Sequence, residues 1–167
     1  MTAAAIAVLA FVTAQRLAEL WLANRNTRRL LAQGAVEHGR AHYPLIVSVH
    51  AAWLAAMWWW APGRPIDSML LTLFGLLQLA RVWVIATLGA RWTTRIIILP
   101  DAPLIRSGPY RFVSHPNYLV VAAEIAVLPL VFGLWEIALA FTLLNAAVLA
   151  IRIRAENEAL AGSAATA

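Results

Sequence analysis

Five apolar stretches, at residues 3–22, 44–60, 68–88, 118–132 and 134–151, dominate this chain, and each is long enough or nearly long enough to cross a bilayer. A hydrocarbon core of about 30 Å takes roughly 20 residues of helix. In that medium backbone N–H and C=O groups must be satisfied within the segment itself, which a helix does and a lipid-exposed loop cannot. The chain is therefore predicted to be an all-α, polytopic membrane protein with about five transmembrane helices. Composition agrees: 62% of residues are hydrophobic and 13% charged, against about 45–50% and about 25% in soluble domains. No repeat, linker or compositional break divides residues 1–167, so one integral-membrane domain is expected. Residues 3–22 lack a basic leader and a small-residue cleavage site, and read as a first span rather than a signal peptide. Only a turn at Gly133 separates the last two stretches, which predicts a tight helical hairpin with Pro129 kinking or ending its first member.

Most of the arginines lie in the connections. All 13 basic residues are arginine. Segment 24–42 carries Arg25, Arg28, Arg29 and Arg40; segment 89–114 carries Arg91, Arg95, Arg106 and Arg111; the tail carries Arg152 and Arg154. Segment 61–67 has only Arg64 and the Gly133 turn has none. Under the positive-inside rule this asymmetry predicts an outside N-terminus and a cytoplasmic C-terminus. The loop 89–114 and the inner helix ends then share the cytoplasmic side. Trp58, Trp59 and Trp60 fall at the outer interface, where amphipathic indoles form a belt. The basic pI of about 11.0 is thus a signal of membrane orientation, and nucleic acid is not expected as a partner. Cys is absent, which excludes disulfides, thiolate metal sites and a cysteine nucleophile.

Chemistry gathers at the cytoplasmic border. Loop 89–114 is long for a compact domain, contains Pro100, Pro103 and Pro109, and is expected to pack through its apolar patches at 96–99 and 104–105. In "HPNY", Pro116 suits the first turn of a helix and biases His115 toward an extended lead-in conformation, with its imidazole free to face a ligand. In "NAAVLAIRIRAENEAL", Asn145, Leu149, Arg152 and Glu156 share one helical face that runs from the membrane into the cytoplasm. Taken alone, Arg152 and Glu156 are an ordinary i,i+4 surface pair. Asn145 strengthens the stripe, because a polar residue in the bilayer needs a partner or a cavity. Arg16, Glu19, His50, Gln78, Arg81 and Glu124 are also intramembrane, and pairing between helices is the plain expectation, for instance Arg81 with Glu124. No metal-ligand spacing, Walker loop or nucleophile elbow is present; His38 and His42 read as a solvated loop face.

Together, "LIRSGPYRFVSHPNY" and the later "RIRAENEAL" resemble the signature of the isoprenylcysteine carboxyl methyltransferase family of integral-membrane enzymes. That signature is G-x-Y-x-x-x-R-H-P-x-Y, a helical hairpin, then R-x-x-x-E-E-x-x-L. Here Gly108, Tyr110, Ser114, His115, Pro116 and Tyr118 match or replace the first motif, and Arg152, Glu156, Asn157 and Leu160 the second. The motif-bearing part is 89–160. "RWTTRIIILP" looks closer to a small bacterial branch that resembles alkylpyrone O-methyltransferases. Two departures stand out: Ser114 replaces an arginine and Asn157 a glutamate, so those charges are lost or moved, to Arg111 and Glu158.

The resemblance implies S-adenosyl-L-methionine as methyl donor, no metal, and a bacterial inner or cell membrane location with the active site facing the cytoplasm. Carried over by position, the cofactor contacts are Pro103, Leu104, Ile105, Tyr110, His115, Pro116, Asn117, Tyr118 and Glu156. Arg152 is the candidate catalytic residue, with Arg152, Asn145 and Arg111 directed at the substrate. The expected reaction is methyl transfer to an oxygen, of a carboxylate or an acidic enol or phenol, on a lipophilic isoprenyl or long-chain alkyl substrate. Such a substrate can enter sideways with its tail still among membrane lipid, while its head meets a water-soluble donor at the interface. The alternatives are a phospholipid N-methyltransferase, whose amine must lose a proton, and a non-catalytic membrane scaffold, favoured by Ser114 and Asn157.

Overall fold

The computed structural model describes residues 2–100 and 102–165. Five helices carry the fold: α1 (Thr2–Ala32), α2 (Tyr43–Trp60), α3 (Ser68–Leu88), α4 (Pro116–Val131) and α5 (Trp135–Ala165). By length and composition α1, α3 and α5 are able to cross a membrane. All five expected helices are present, and two of them fall short of that length-and-composition measure. α4 has 16 residues, about 24 Å of helix. The 18 residues of α2 include His50 and four tryptophans, which lower its hydropathy.

Local sequence explains where the helices stop. α3 begins at Asp67, whose carboxylate accepts from Leu70 N–H at 2.9 Å, satisfying one of the otherwise unpaired first-turn donors. α4 starts at Pro116, where the missing N–H is no loss. It ends beyond Pro129 in a turn with Gly133 at φ +66° and the Leu134 N–H on the Pro129 carbonyl at 3.0 Å. α4 and α5 therefore form the expected hairpin, and the Asp67 N–H bonds the Val131 carbonyl at 2.9 Å to pin the neighbouring connection to it.

Two elements differ from the sequence expectation. α1 continues to Ala32 instead of ending near residue 22, so part of the first basic connection is helical. Leaving the hydrocarbon does not end a helix: Arg, Leu and Ala in "RNTRRLLA" all favour it. Asn26, buried in that extension, donates to the carbonyls of Gly89 (3.2 Å) and Trp92 (2.8 Å), tying α1 to the end of α3. In addition, residues 36–38 (β1, Val36–His38) and 96–98 (β2, Ile96–Ile98) pair antiparallel with Val36 opposite Ile98. This ribbon is what the 96–99 patch packs into, with Ile96 buried.

The apolar core lies toward the opposite end of the bundle, where Leu9 and Val12 of α1, Trp53 and Met57 of α2, Phe74 of α3 and Ile125 and Leu128 of α4 meet. Trp58, Trp59 and Trp60 are exposed at that end, as a belt requires. Between core and ribbon sits a buried charge network. Arg81 binds Glu19 through Nε and through Nη2 (2.6 Å) and Glu124 through Nη1 (3.0 Å); Arg16 reaches Glu124 at 2.7 Å and Glu19 at 3.0 Å. Gln78 adds a donor to Glu124 at 2.8 Å. Two cations and two carboxylates from three helices thus neutralise one another, which is how ionisable groups persist inside a membrane protein. The expected Arg81–Glu124 pair is present within this larger set.

Candidate active site

The ribbon, the loop after α3, the start of α4 and the end of α5 enclose a cavity of about 1130 Å³. Gly108 explains how the loop reaches it. Its φ is +55°, and a Cβ there would stand 2.5 Å from Thr87 Oγ1 and 3.3 Å from Trp83 Nε1, so only glycine lets the backbone lie this close to α3. The turn it opens, Gly108–Arg111, delivers Tyr110 to the cavity. Arg91 then fastens the loop to itself by donating to the Pro103 carbonyl at 2.7 Å.

His115 precedes α4 with φ −129° and ψ 61°, outside the helical region, as a residue before proline prefers. Its imidazole faces the cavity, stacks on Tyr118 at 5.3 Å between ring centroids, and places Nδ1 3.9 Å from Glu156 Oε2. Arg152 and Glu156, one turn apart on α5, make no direct ion pair. The Tyr118 hydroxyl stands between them: it accepts from Arg152 Nε at 2.8 Å and donates to Glu156 Oε2. Arg152 Nη2 donates to the Thr94 carbonyl at 2.7 Å, so the guanidinium is held in one plane between α4 and the loop. Among the described residues nothing bonds Arg152 Nη1, and the side chain is buried with no carboxylate paired to it.

Of the residues singled out in the sequence, Pro103, Leu104, Ile105, Tyr110, Arg111, His115, Asn117, Tyr118, Arg152 and Glu156 all line this cavity. Pro116 and Asn145 do not. Pro116 is buried in the first turn of α4, where it shapes the chain around His115. Asn145 is buried on the Arg152 face of α5, about two turns deeper at 1.5 Å per residue. Thr94, whose carbonyl orients Arg152, had no signal in the sequence, because a backbone acceptor carries no residue signature.

The cavity is amphipathic in layout. Ile97, Ile98, Leu104 and Ile105 give it an apolar wall, and Asn117 offers a buried Oδ1 with no partner among the described residues. Burial, followed by the nearby Glu156 charge, raises the Tyr110 hydroxyl to about 12, so it remains a neutral donor at physiological pH. Five arginines (91, 95, 106, 111 and 152) line the cavity with Glu156 as the single described carboxylate; Arg95 is neutralised by Glu37 at 2.6 Å. The field inside therefore favours an anion.

Residues 69–162, more than half of the chain, match the family described as the Isoprenylcysteine carboxyl methyltransferase (ICMT) family. The chain is 34% identical to "Uncharacterized protein YpbQ" of Bacillus subtilis (strain 168), over 92% of its own length and 94% of the relative's. It is 28% identical to an "Uncharacterized protein" of Haemophilus influenzae, over 90% and 91%. No solved structure matches it.

Proposed function

Because the chain belongs to the isoprenylcysteine carboxyl methyltransferase family of membrane methyltransferases, we propose that the cavity holds S-adenosylmethionine and that a methyl group passes there to an oxygen of a lipophilic anion. The observation that carries this reading is the convergence of both motifs on one space: His115 and Tyr118 from before the hairpin meet Arg152 and Glu156 from after it. The proposed orientation puts the N-terminus outside and this cavity on the cytoplasmic side, where the donor is made.

The residues present fit the donor. The cavity, at about 1130 Å³, is somewhat larger than the roughly 300–1,000 Å³ usual for small-molecule sites, enough for a nucleoside and the head of an acceptor. Glu156 offers a carboxylate to an ammonium group, the unpartnered Asn117 Oδ1 a further acceptor, Tyr110 a neutral hydroxyl, and the 97–98 and 104–105 side chains an apolar bed for a base. When bound, the donor supplies a sulfonium methyl that needs no further activation.

What the chain itself contributes is alignment and exclusion of water, a class of effect worth about 7–11 kcal/mol when two reactants are held in line. Arg152 directs its remaining Nη1 donor at the acceptor oxygen, and Tyr118 and Thr94 prevent the guanidinium from turning. A carboxylate or acidic enolate arrives already deprotonated, so no general base is required. An amine acceptor fits less well. It would enter protonated among arginines, and the Glu156 oxygen that would receive its proton already accepts the Tyr118 hydroxyl.

Calorimetric titration of the purified protein with S-adenosylhomocysteine tests donor binding: saturable heat is expected, and none from folded protein would favour a non-catalytic scaffold. Lipid extracts incubated with methyl-labelled donor should then yield base-labile ester or ether products. Labelled methylamines would replace the oxygen acceptor with a nitrogen one.

A further inference from the structure

The exposed surface around the cavity mouth is shared only in part with methyl transfer, through Leu104 and Arg111. Leu104, Phe112 and Val113 are 57%, 72% and 40% exposed, all outside the helices and at the end of the bundle that bears the arginines. Phe112 and Val113 do not line the cavity, but they follow directly on Arg111, which does. Arg106 and Arg111 are exposed, line the mouth and have no carboxylate partner among the described residues, and the Arg111 guanidinium lies 5.6 Å from the Phe112 ring. α1 carries the same kind of pair: exposed Trp21 has the Arg25 guanidinium 5.8 Å from its ring, and Leu30, farther along the helix, lines the cavity.

An apolar wedge flanked by unpaired arginines has one natural environment. The wedge belongs at the boundary of headgroups and acyl chains, and the guanidiniums at the depth of the phosphates. Lone exposed arginines that only set topology need no apolar neighbours; here cation and apolar side chain are adjacent in the loop and again on α1. Arginine forks also suit phosphate better than a neutral zwitterionic surface, because the bidentate contact is not contested by a neighbouring ammonium.

We propose that the rim formed by Leu104, Arg106, Arg111, Phe112 and Val113 is a docking surface for acidic phospholipid, which fastens the loop over the cavity by its phosphate. This binding is independent of the methyl-transfer reading, since it requires neither donor nor turnover. It gives the loop after α3 an external support in addition to its internal tie from Arg91 to Pro103.

The test is native mass spectrometry of the intact protein released from nanodiscs of mixed phosphatidylcholine and phosphatidylglycerol. Wild type is expected to retain phosphatidylglycerol in preference to phosphatidylcholine. Each arginine near an anionic surface contributes about fivefold in affinity, so Arg106→Gln with Arg111→Gln should lower retention about 25-fold. Phe112→Ser should lower it at unchanged charge. All these positions are exposed, so an unchanged thermal midpoint is expected and confirms folding. The comparison variant is Arg28→Gln with Arg29→Gln, two exposed arginines of α1 outside the rim. Equal loss in both double variants would reduce the effect to overall basic charge and overturn the rim assignment, as would retention of the two lipids without preference.

Discussion

The Arg152 Nε–H bonds the Tyr118 hydroxyl at 2.8 Å, and that hydroxyl is in turn given to Glu156. A residue from the start of α4 thus separates, yet couples, the cation and the carboxylate of α5. In the proposed reaction Glu156 serves the donor and Arg152 the acceptor, so Tyr118 fixes the distance between the two halves of the site.

Tyr118→Phe removes the bridge while keeping the ring that stacks on His115. Hydrogen bonds to charged groups contribute about 1.5–3 kcal/mol, so S-adenosylhomocysteine affinity should fall roughly 10- to 100-fold with little loss of stability. Calorimetry of the variant beside wild type decides it; unchanged affinity would mean that the bridge positions nothing.

Arg152→Lys keeps the charge and loses the fork. Lysine cannot hold the Tyr118 hydroxyl, the Thr94 carbonyl and an acceptor oxygen in one plane. Acceptor turnover is expected to drop by about 10²-fold or more, with donor affinity changed much less than in Glu156→Ala. Wild-type turnover in the lysine variant would show that a point charge suffices.

Gly108→Ala should displace the loop, since its Cβ would strike Thr87 Oγ1 and the φ of +55° is strained for alanine. Donor affinity should weaken because Tyr110 moves with the turn. Adding Thr87→Ala relieves the contact but not the backbone strain, so rescue should be partial. Complete rescue would assign the whole effect to the clash.

Glu124→Gln leaves the buried network of Arg16, Arg81 and Glu19 with an unbalanced positive charge. Breaking a buried pair costs about 3–5 kcal/mol. Replacing Arg16 and Glu124 together by Met leaves Arg81 and Glu19 as a neutral pair, and most of the loss should be recovered. Thermal midpoints in one detergent compare the three proteins, and a double variant no better than the single would refute charge balance as the cause.

The Tyr110 hydroxyl, raised to about 12 from its ordinary 10.0 by burial and then by Glu156, makes a further prediction. A group whose folded pKa exceeds its unfolded one binds protons more tightly when folded, so its contribution is full below pH 10 and is lost as pH rises toward 12. The fall in thermal midpoint between pH 10 and 12 should be shallower in Tyr110→Phe. Identical slopes would place the titrating group elsewhere.

Much of this was legible in the chain. Apolar runs of the right length specify helices in lipid because no other open segment satisfies its own backbone there. Asp67, Pro116 and Gly133 mark helix ends by local chemistry alone. The family resemblance, carried over by position, named ten residues that line one cavity, and the short hairpin brings the segments before and after it to the same end of the bundle. The extension of α1 to Ala32 was hidden, since hydropathy reports where a segment leaves lipid and not where its hydrogen bonding stops.

What tertiary structure alone decided was partnership. Arg152 and Glu156 have the spacing of a surface ion pair, and only the approach of α4 inserts the Tyr118 hydroxyl between them. The pairing of Val36–His38 with Ile96–Ile98, the Thr94 carbonyl that orients Arg152, and the gathering of Arg16, Glu19, Arg81 and Glu124 join residues far apart in the chain. Local pattern constrains the backbone of each segment. Which buried polar group meets which is set by helix packing, where the penalty for an unpartnered charge in lipid selects among the arrangements the pattern permits.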